Sequence, residues 1–142
     1  MKSIIRHIKY PLLIVFLMLG IVAAKACADV TDTVSRTFQV QPGGTLTLES
    51  DLGSVNVQTG NQNRVAVNVE RRANVIGNIR GKEILERFQI EFNQDGNDVE
   101  VIGEIDNHRG NRLQVHYRIS VPREYNVDLS TAGGSIDIAD LD

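Results

Sequence analysis

Cysteine is almost absent from the sequence, and no apolar run is long enough to cross a membrane as a helix. Cys27 is the only cysteine among 142 residues, so no disulfide can form within one chain. The sequence has no cysteine pair and no His-x-His pattern, and we therefore predict neither a metal site nor a cofactor. The longest apolar run, Pro11–Ala24, is shorter than the about 20 residues of a membrane-spanning helix.

Acidic residues are absent from the first 28 positions, and this segment has the three parts of a bacterial secretory signal peptide. Its basic part contains Lys2, Arg6 and Lys9, and its apolar core is Pro11–Ala24. A small-x-small pattern, the kind that signal peptidase recognises, follows the core. We therefore expect an exported protein with a signal peptide over residues 1–28. An uncleaved N-terminal anchor is the alternative.

The cleavage site is predicted at Ala26, Cys27 and Ala28, with the cut before Asp29. Lipidation of Cys27 is the competing interpretation. Lipoprotein processing needs a small or apolar residue two places before the cysteine, where this chain has Lys25. We therefore expect a product of the periplasm, the cell surface or the exterior, without a lipid anchor.

Basic residues are scarce in the remaining domain, residues 29–142. Four of the 15 basic residues lie before residue 29, so 11 remain against all 18 acidic ones, a formal charge of −7. An acidic surface repels phosphate backbones. We expect no nucleic-acid partner and no membrane span in this domain.

Apolar and polar residues alternate through most of the domain, which predicts half-buried strands. The alternating segments are 37–40, 45–49, 54–58, 64–70, 88–92, 98–101, 113–121, 125–129 and 135–138. Asp95-Gly96 between two of them predicts a hairpin. Arg80–Phe88 departs from the alternation and predicts a short helix that covers an end or edge of the sheet. The expected fold class is all-β, solenoid-like or sandwich-like, with one short helix.

Two parts of the chain repeat one pattern. The repeated units are Leu46-x-Leu48-x4-Gly53-Ser54-Val55-x-Val57 and Val127-x-Leu129-x4-Gly134-Ser135-Ile136-x-Ile138. Each unit predicts a strand, a tight corner and a second strand. Stacked units of this kind bury a continuous core, as in β-solenoids.

These residues resemble the bacterial putative-adhesin family, described as β-strand-repeat domains of unknown function. The matching motifs are Phe38–Leu48 with Pro42, Gly43 and Gly44; Gly53–Val57; Val121-Pro122; and Thr131–Ile138 with Gly133, Gly134 and Ser135. The resemblance covers about residues 38–142. It implies a secreted or envelope-attached strand-repeat domain with an adhesive role, and it supplies no catalytic residues.

The Gly-Gly-Ser-Ile unit recurs in that family, whereas it occurs once here, at residues 133–136. We therefore expect a member truncated at its C-terminus, whose last strand exposes a sheet edge. A naturally short member, whose edge strand associates with another chain, is the alternative.

We expect a non-catalytic module that binds an unknown envelope protein or glycan. One alternative is a periplasmic sensing or scaffold domain in envelope stress regulation. Another is a carbohydrate-active solenoid enzyme that aligns carboxylates on one face. The carboxylates that this enzyme would use are Glu49, Asp51, Asp128 and Asp137.

Other candidate site residues have simpler interpretations. His116 lies on the polar side of a strand and His108 in a loop, and we expect both to be solvated. Asn93–Asp98 resembles a calcium loop with Glu104 at its twelfth place, but Asp98 stands where an EF-hand needs glycine, so we predict a hairpin. The polar loops 61–64 and 107–112 are candidate contacts for a glycan or protein, or ordinary solvated turns.

Overall fold

The protein is described by a computed structural model over residues 29–60, 62–75, 77–106 and 112–139. The predicted signal peptide, including Ala26, Cys27 and Ala28, lies outside the described residues. In chain order the elements are β1 (Val30–Gln39), β2 (Thr45–Ser50), β3 (Ser54–Gly60), β4 (Arg64–Ala73), α1 (Asn78–Glu86), β5 (Phe88–Asp95), β6 (Asp98–Ile105), β7 (Leu113–Pro122), β8 (Asn126–Thr131) and β9 (Ile136–Ala139). The expected all-β class with one short helix is confirmed.

The strands form two mixed sheets that enclose one core. The first sheet has the order β1-β4-β7-β3-β9 and the second has the order β5-β6-β2-β8. Alternate apolar side chains of both sheets belong to one buried cluster; they include Leu46, Leu48, Val55, Val57, Val65, Val67, Val69, Phe88, Val99, Val101, Tyr117 and Ile119. Burial of each large apolar side chain contributes about 1.5–3 kcal/mol relative to exposure.

The repeated units stack directly on one another. In the four-stranded sheet β2 lies parallel to β8, and in the five-stranded sheet β3 lies parallel to β9. The register pairs Leu48 with Leu129 and Val57 with Ile138, which are equivalent positions of the two units. On their other sides β2 and β3 pair in parallel with β6 and β7. Three strand pairs therefore form a parallel stack; its extension into a solenoid stays a prediction.

The corners of adjacent units are joined by backbone hydrogen bonds. The Gly53 amide donates to the Gly133 carbonyl over 2.6 Å, and the Val55 amide donates to the Ser135 carbonyl over 2.8 Å. Gly53 and Gly134 both have φ of 133°, a conformation that L side chains rarely adopt. A Cβ on Gly134 would also collide with the Gly53 carbonyl group. The two corners therefore nest only because this position has no side chain.

Antiparallel strands and the helix close the other end of the stack. β1 and β4 extend the first sheet, and β5 borders the second. Phe38 of β1 lies 6.2 Å from Phe92 of β5 between ring centroids, and the Gln94 side-chain amide donates to the Gln39 backbone carbonyl over 2.8 Å. Helix α1 contacts β1, β4 and β5 and thus covers this edge as predicted. Its predicted range was shifted by two residues: the helix begins at Asn78 and ends at Glu86, and Phe88 is a core residue of β5.

The Asp95-Gly96 hairpin is confirmed. β5 and β6 are antiparallel and Asp95 pairs with Asp98, while Gly96 has φ of 57°. Side-chain oxygens of this turn accept hydrogen bonds from backbone amides of a neighbouring turn. Asn97 Oδ1 accepts from the Gln41 amide over 3.0 Å, and Asp98 Oδ1 accepts from the Thr45 amide over 2.8 Å. They satisfy backbone donors at the β1–β2 turn.

The adjacent glycines of the β8–β9 corner give a matched test of the nesting. We predict that Gly134→Ala lowers the free energy of unfolding by about 2–3 kcal/mol, because it adds both backbone strain and a collision. Gly133→Ala should change it by less than about 1 kcal/mol, since its Cβ would lie 3.7 Å from Leu52 Cδ1, an ordinary contact. Urea unfolding measures both variants. Equal losses would contradict the nesting.

Candidate functional site on the five-stranded sheet

The two outer faces of the protein differ in charge. The four-stranded sheet has an acidic outer face, and the described strands place no basic residue on it. Its outward residues are Gln89, Glu91, Asn93, Asp98, Glu100, Ile102, Glu104, Thr45, Thr47, Glu49, Asn126, Asp128 and Ser130. Alternation predicts an outward position for those of them that lie within the alternating segments, but only the strand order brings all of them onto one face.

The outer face of the five-stranded sheet, here called the mixed polar face, is rich in hydroxyl, amide and guanidinium groups. Its outward residues are Thr33, Ser35, Thr37, Arg64, Asn68, Glu70, Arg72, Gln114, His116, Arg118, Ser120, Ser54, Asn56, Gln58 and Asp137. The central row crosses all five strands and contains Ser35, Asn68, Arg118, Asn56 and Asp137. It is a continuous array of hydrogen-bond donors and acceptors.

Local contacts hold part of this array in place. Glu70 lies 3.3 Å from Arg72 and 3.4 Å from Arg118 between carboxylate oxygens and guanidinium nitrogens. The Asn68 side-chain amide donates to Ser35 Oγ over 2.8 Å. Exposed ion pairs of this type contribute at most about 1 kcal/mol to stability. Their main effect is to orient these side chains on the face.

His116 lies on the mixed polar face and is exposed, as predicted for a solvated strand histidine. Its strand neighbours are Glu70 on β4 and Ser54 on β3. Among the described residues no group of three or more His, Cys, Asp or Glu side chains could hold a metal ion. His108 and the loop residues 107–111 lie outside the described residues, as does Asn61.

The four carboxylates proposed for a carbohydrate-active enzyme do not converge. Glu49 and Asp128 lie on the acidic face, whereas Asp137 lies on the mixed polar face. Asp51 is in the β2–β3 corner, where Oδ2 accepts from the Ile105 amide over 3.1 Å. The arrangement that the enzyme hypothesis requires is therefore not found among these residues.

A cavity of about 480 Å³ lies beside helix α1. It is lined by Val30, Thr31, Asp32, Arg71, Lys82, Leu85, Glu86 and Gln89. The Arg71 guanidinium pairs with Asp32 and donates to the Leu85 carbonyl over 3.3 Å and to the Phe88 carbonyl over 2.9 Å. Arg71 thus links the end of the helix to β1 and β5. Its buried Nε has no hydrogen-bond partner.

The family-motif residues occupy turns and corners. Pro42 and Gly43 form the β1–β2 turn, where the Gly43 amide donates to the Glu124 carbonyl over 2.6 Å. Gly44 packs so closely on Asn97 and Tyr125 that a Cβ would collide with both. Pro122 ends β7 and is buried. The two nested corners contain Gly53, Gly133, Gly134 and Ser135. Asp29, at the predicted cleavage site, is the first described residue.

One buried polar pair lies in the core. Ser50 Oγ donates to the Leu52 carbonyl over 2.8 Å and is hydrogen-bonded to Tyr117 Oη over 2.9 Å. Burial raises the pKa of Tyr117 to about 12, although the Ser50 hydrogen bond acts in the opposite direction. Burial, and next the Asp98 carboxylate, also raise the pKa of Tyr125. Ser50 follows the predicted segment 45–49, and its contact with Tyr117 was not foreseen.

Comparisons with known proteins identify no family for the chain. No protein-family model and no curated protein matches it. A putative adhesin from Bacteroides fragilis has 13% identity and a TM-score of 0.42, with 77% of this chain and 44% of that chain covered. A putative cell adhesion protein from Clostridium sporogenes has 14% identity and a TM-score of 0.43, with 75% and 51% covered. The chain thus spans about half the length of these structures, and likeness at this level carries no argument about function.

Helix α1, of nine residues, is too short to cross a membrane, and no other helix in the described ranges has the length and apolarity to do so.

The buried tyrosine predicts a loss of stability at high pH. A phenol whose pKa is raised from 10.0 to about 12 on folding favours the folded state fully below pH 10. That contribution, up to about 2–3 kcal/mol, is lost as the pH rises from 10 to 12, because the unfolded chain loses its proton first.

Tyr117→Phe removes this titration and a hydrogen bond that contributes about 1 kcal/mol. The variant should therefore be less stable at pH 8, and its deficit should shrink or reverse by pH 12. Urea unfolding across this range measures the difference between the two proteins. Parallel stability curves would show that Tyr117 is not the titrating group.

Proposed function

We propose that this protein is an exported, non-catalytic envelope module that binds a glycan through the mixed polar face. The observation that carries the proposal is the continuous row of Ser35, Asn68, Arg118, Asn56 and Asp137 across five strands. These side chains offer donors and acceptors at the regular spacing of neighbouring strands, about 4.8 Å. A polymer with repeated hydroxyl groups has the matching chemistry.

The composition of the face favours a glycan over a protein as partner. Binding energy at protein interfaces is concentrated in aromatic and arginine anchors that enter desolvated pockets. The described residues of the mixed polar face include no Phe, Tyr or Leu, and its three arginines are exposed on the strands rather than buried in pockets. The mixed polar face is therefore better suited to many weak hydrogen bonds with a hydroxylated ligand than to a protein interface.

Charge favours this face over the opposite one. The acidic face would repel the anionic polymers that are common at cell surfaces, since like charges across an interface are unfavourable. Arg64, Arg72 and Arg118 lie on the mixed polar face, where they outnumber Glu70 and Asp137. A glycan that carries carboxylate or phosphate groups is thus compatible with this face alone.

A binding assay with matched variants tests the proposal. Arg118→Gln and Asn56→Ala remove two neighbours of the central row, and we expect each to weaken retention on purified envelope polysaccharide roughly 5–30-fold. Glu100→Gln and Thr47→Ala occupy the corresponding row of the acidic face and serve as controls without loss. All four substitutions are on the surface and should change stability by less than about 0.5 kcal/mol.

The retention of the four variants tests the assigned face, and removal of the polysaccharide distinguishes a glycan partner from a protein partner. Retention that is unaffected by the Arg118 and Asn56 variants, or lost in the Glu100 and Thr47 variants, would contradict the assignment of the face. Retention that survives removal of the polysaccharide and depends on envelope proteins would contradict the glycan.

The export hypothesis predicts the N-terminus of the mature chain. We propose cleavage before Asp29, supported by the small residues Ala26 and Ala28 and by the start of the first strand at Val30. Intact-mass measurement of the protein that accumulates outside the cytoplasm should give a chain that begins at Asp29. A product that begins at Cys27 and carries a diacylglycerol mass would show lipidation instead, and an unprocessed chain would show an N-terminal anchor.

A further inference from the structure

Charged side chains of the mixed polar face meet where β4 pairs with β7. The Glu70 carboxylate lies between two guanidinium groups: one oxygen is 3.3 Å from an Arg72 nitrogen and the other is 3.4 Å from an Arg118 nitrogen. We call these three residues the arginine bridge. A guanidinium carries five N–H donors in a planar fork, and the contact with Glu70 engages one nitrogen of each arginine. Most donors of the two arginines are thus not used by this contact.

The arginine bridge presents its positive charges outward. The Glu70 side chain is 21% exposed, whereas those of Arg72 and Arg118 are 44% and 61% exposed. The carboxylate therefore lies beneath the two guanidinium groups, holds them near each other and neutralises one of their two charges. Asp137, the other acidic residue among the described positions of this face, is on β9, two strands from β7 and thus about 10 Å away. A net positive charge remains at the centre of the face, on a domain that is acidic as a whole.

We infer, building on the glycan binding proposed above, that the ligand is an acidic glycan whose carboxylate, phosphate or sulfate group binds over the arginine bridge. Arginine suits such groups because its planar fork can donate two parallel hydrogen bonds to one acidic group. Two arginines that are already held on one carboxylate need little ordering when the ligand arrives, which lowers the entropic cost of binding. Ser35, Asn68 and Asn56 in the same row would contact the neighbouring sugar hydroxyl groups.

His116 makes the strength of this site depend on pH. It is exposed and lies opposite Glu70 in the pairing of β4 with β7. The charged groups that face it are Glu70 and Arg72 of β4 and Arg118 of β7, and its neighbouring positions on β3 are uncharged. Histidine changes its charge between about pH 8 and pH 5, so a fall in pH adds a second positive charge beside the arginine bridge. Binding of an acidic glycan should strengthen as the pH falls through this range and weaken as it rises.

Titration with maltotriose and with sulfated maltotriose tests the ligand class, because the two sugars differ only in their sulfate groups. At pH 6 and 0.15 M salt we expect the sulfated sugar to bind wild type roughly tenfold or more tightly. Arg72→Gln should weaken this binding roughly 5–30-fold. Arg64→Gln is the matched control. It removes the same charge from the same strand about 20 Å from Glu70, beyond the Debye length and the reach of a trisaccharide, and should change the dissociation constant less than about twofold.

The sulfated sugar also isolates the effect of His116, since a sulfate group stays ionised from pH 5 to pH 8 and only the protein titrates. Wild type should bind it roughly 3–10-fold more tightly at pH 5.5 than at pH 7.5. His116→Gln should remove this difference. His108→Gln, which removes the other histidine of residues 29–142, should retain it. Urea unfolding at both pH values verifies that each variant is folded.

The outcomes distinguish this inference from the proposal on which it rests. Equal binding of the two sugars, equal losses in the Arg72 and Arg64 variants, or a pH dependence that survives His116→Gln would overturn the acidic-glycan site and leave glycan binding intact. Binding of neither sugar at either pH would contradict the glycan proposal itself, and the inference with it.

Discussion

The nesting of two glycine corners, at Gly53 and Gly134, is the constraint on which the rest of the structure depends. It lets each strand–corner–strand unit lie flat on the next, so that both of its strands pair in parallel with equivalent residues of the neighbour. A side chain at Gly134 would collide with the Gly53 carbonyl group, and one at Gly53 would press on Tyr117 and Val115 of β7. Close stacking of the units on both sides of β2 and β3 therefore depends on two positions that have no side chain.

This constraint also explains why the two ends of the stack differ. Antiparallel strands, an aromatic bridge and a helix cover one end, while β8 and β9 are the outermost described strands at the other end, and their apolar side chains are more exposed than those of β2 and β3. Outward polar residues are sorted by the same pairing into an acidic face and a mixed polar face. The glycan-binding proposal uses one of these two faces.

Much of the secondary structure was predictable because half-buried strands alternate apolar and polar residues. The repeat predicted that equivalent units stack, and Leu48 does pair with Leu129. The early part of β1 was missed, because Asp32 and Arg36 occupy inward positions at an edge where Arg71 and Phe92 receive them. The mixed polar face was not foreseen, since it requires β1, β4, β7, β3 and β9 in that order. Strand order depends on long-range packing, which local alternation does not encode.

The central claim is the parallel register of the stacked units, and nuclear Overhauser contacts between assigned backbone protons test it most directly. Close approaches should appear together between Leu48 and Leu129 in one sheet and between Val57 and Ile138 in the other. A hairpin between β2 and β3, seen as contacts between Leu48 and Val55 backbone protons with the long-range pairs missing, would contradict the account.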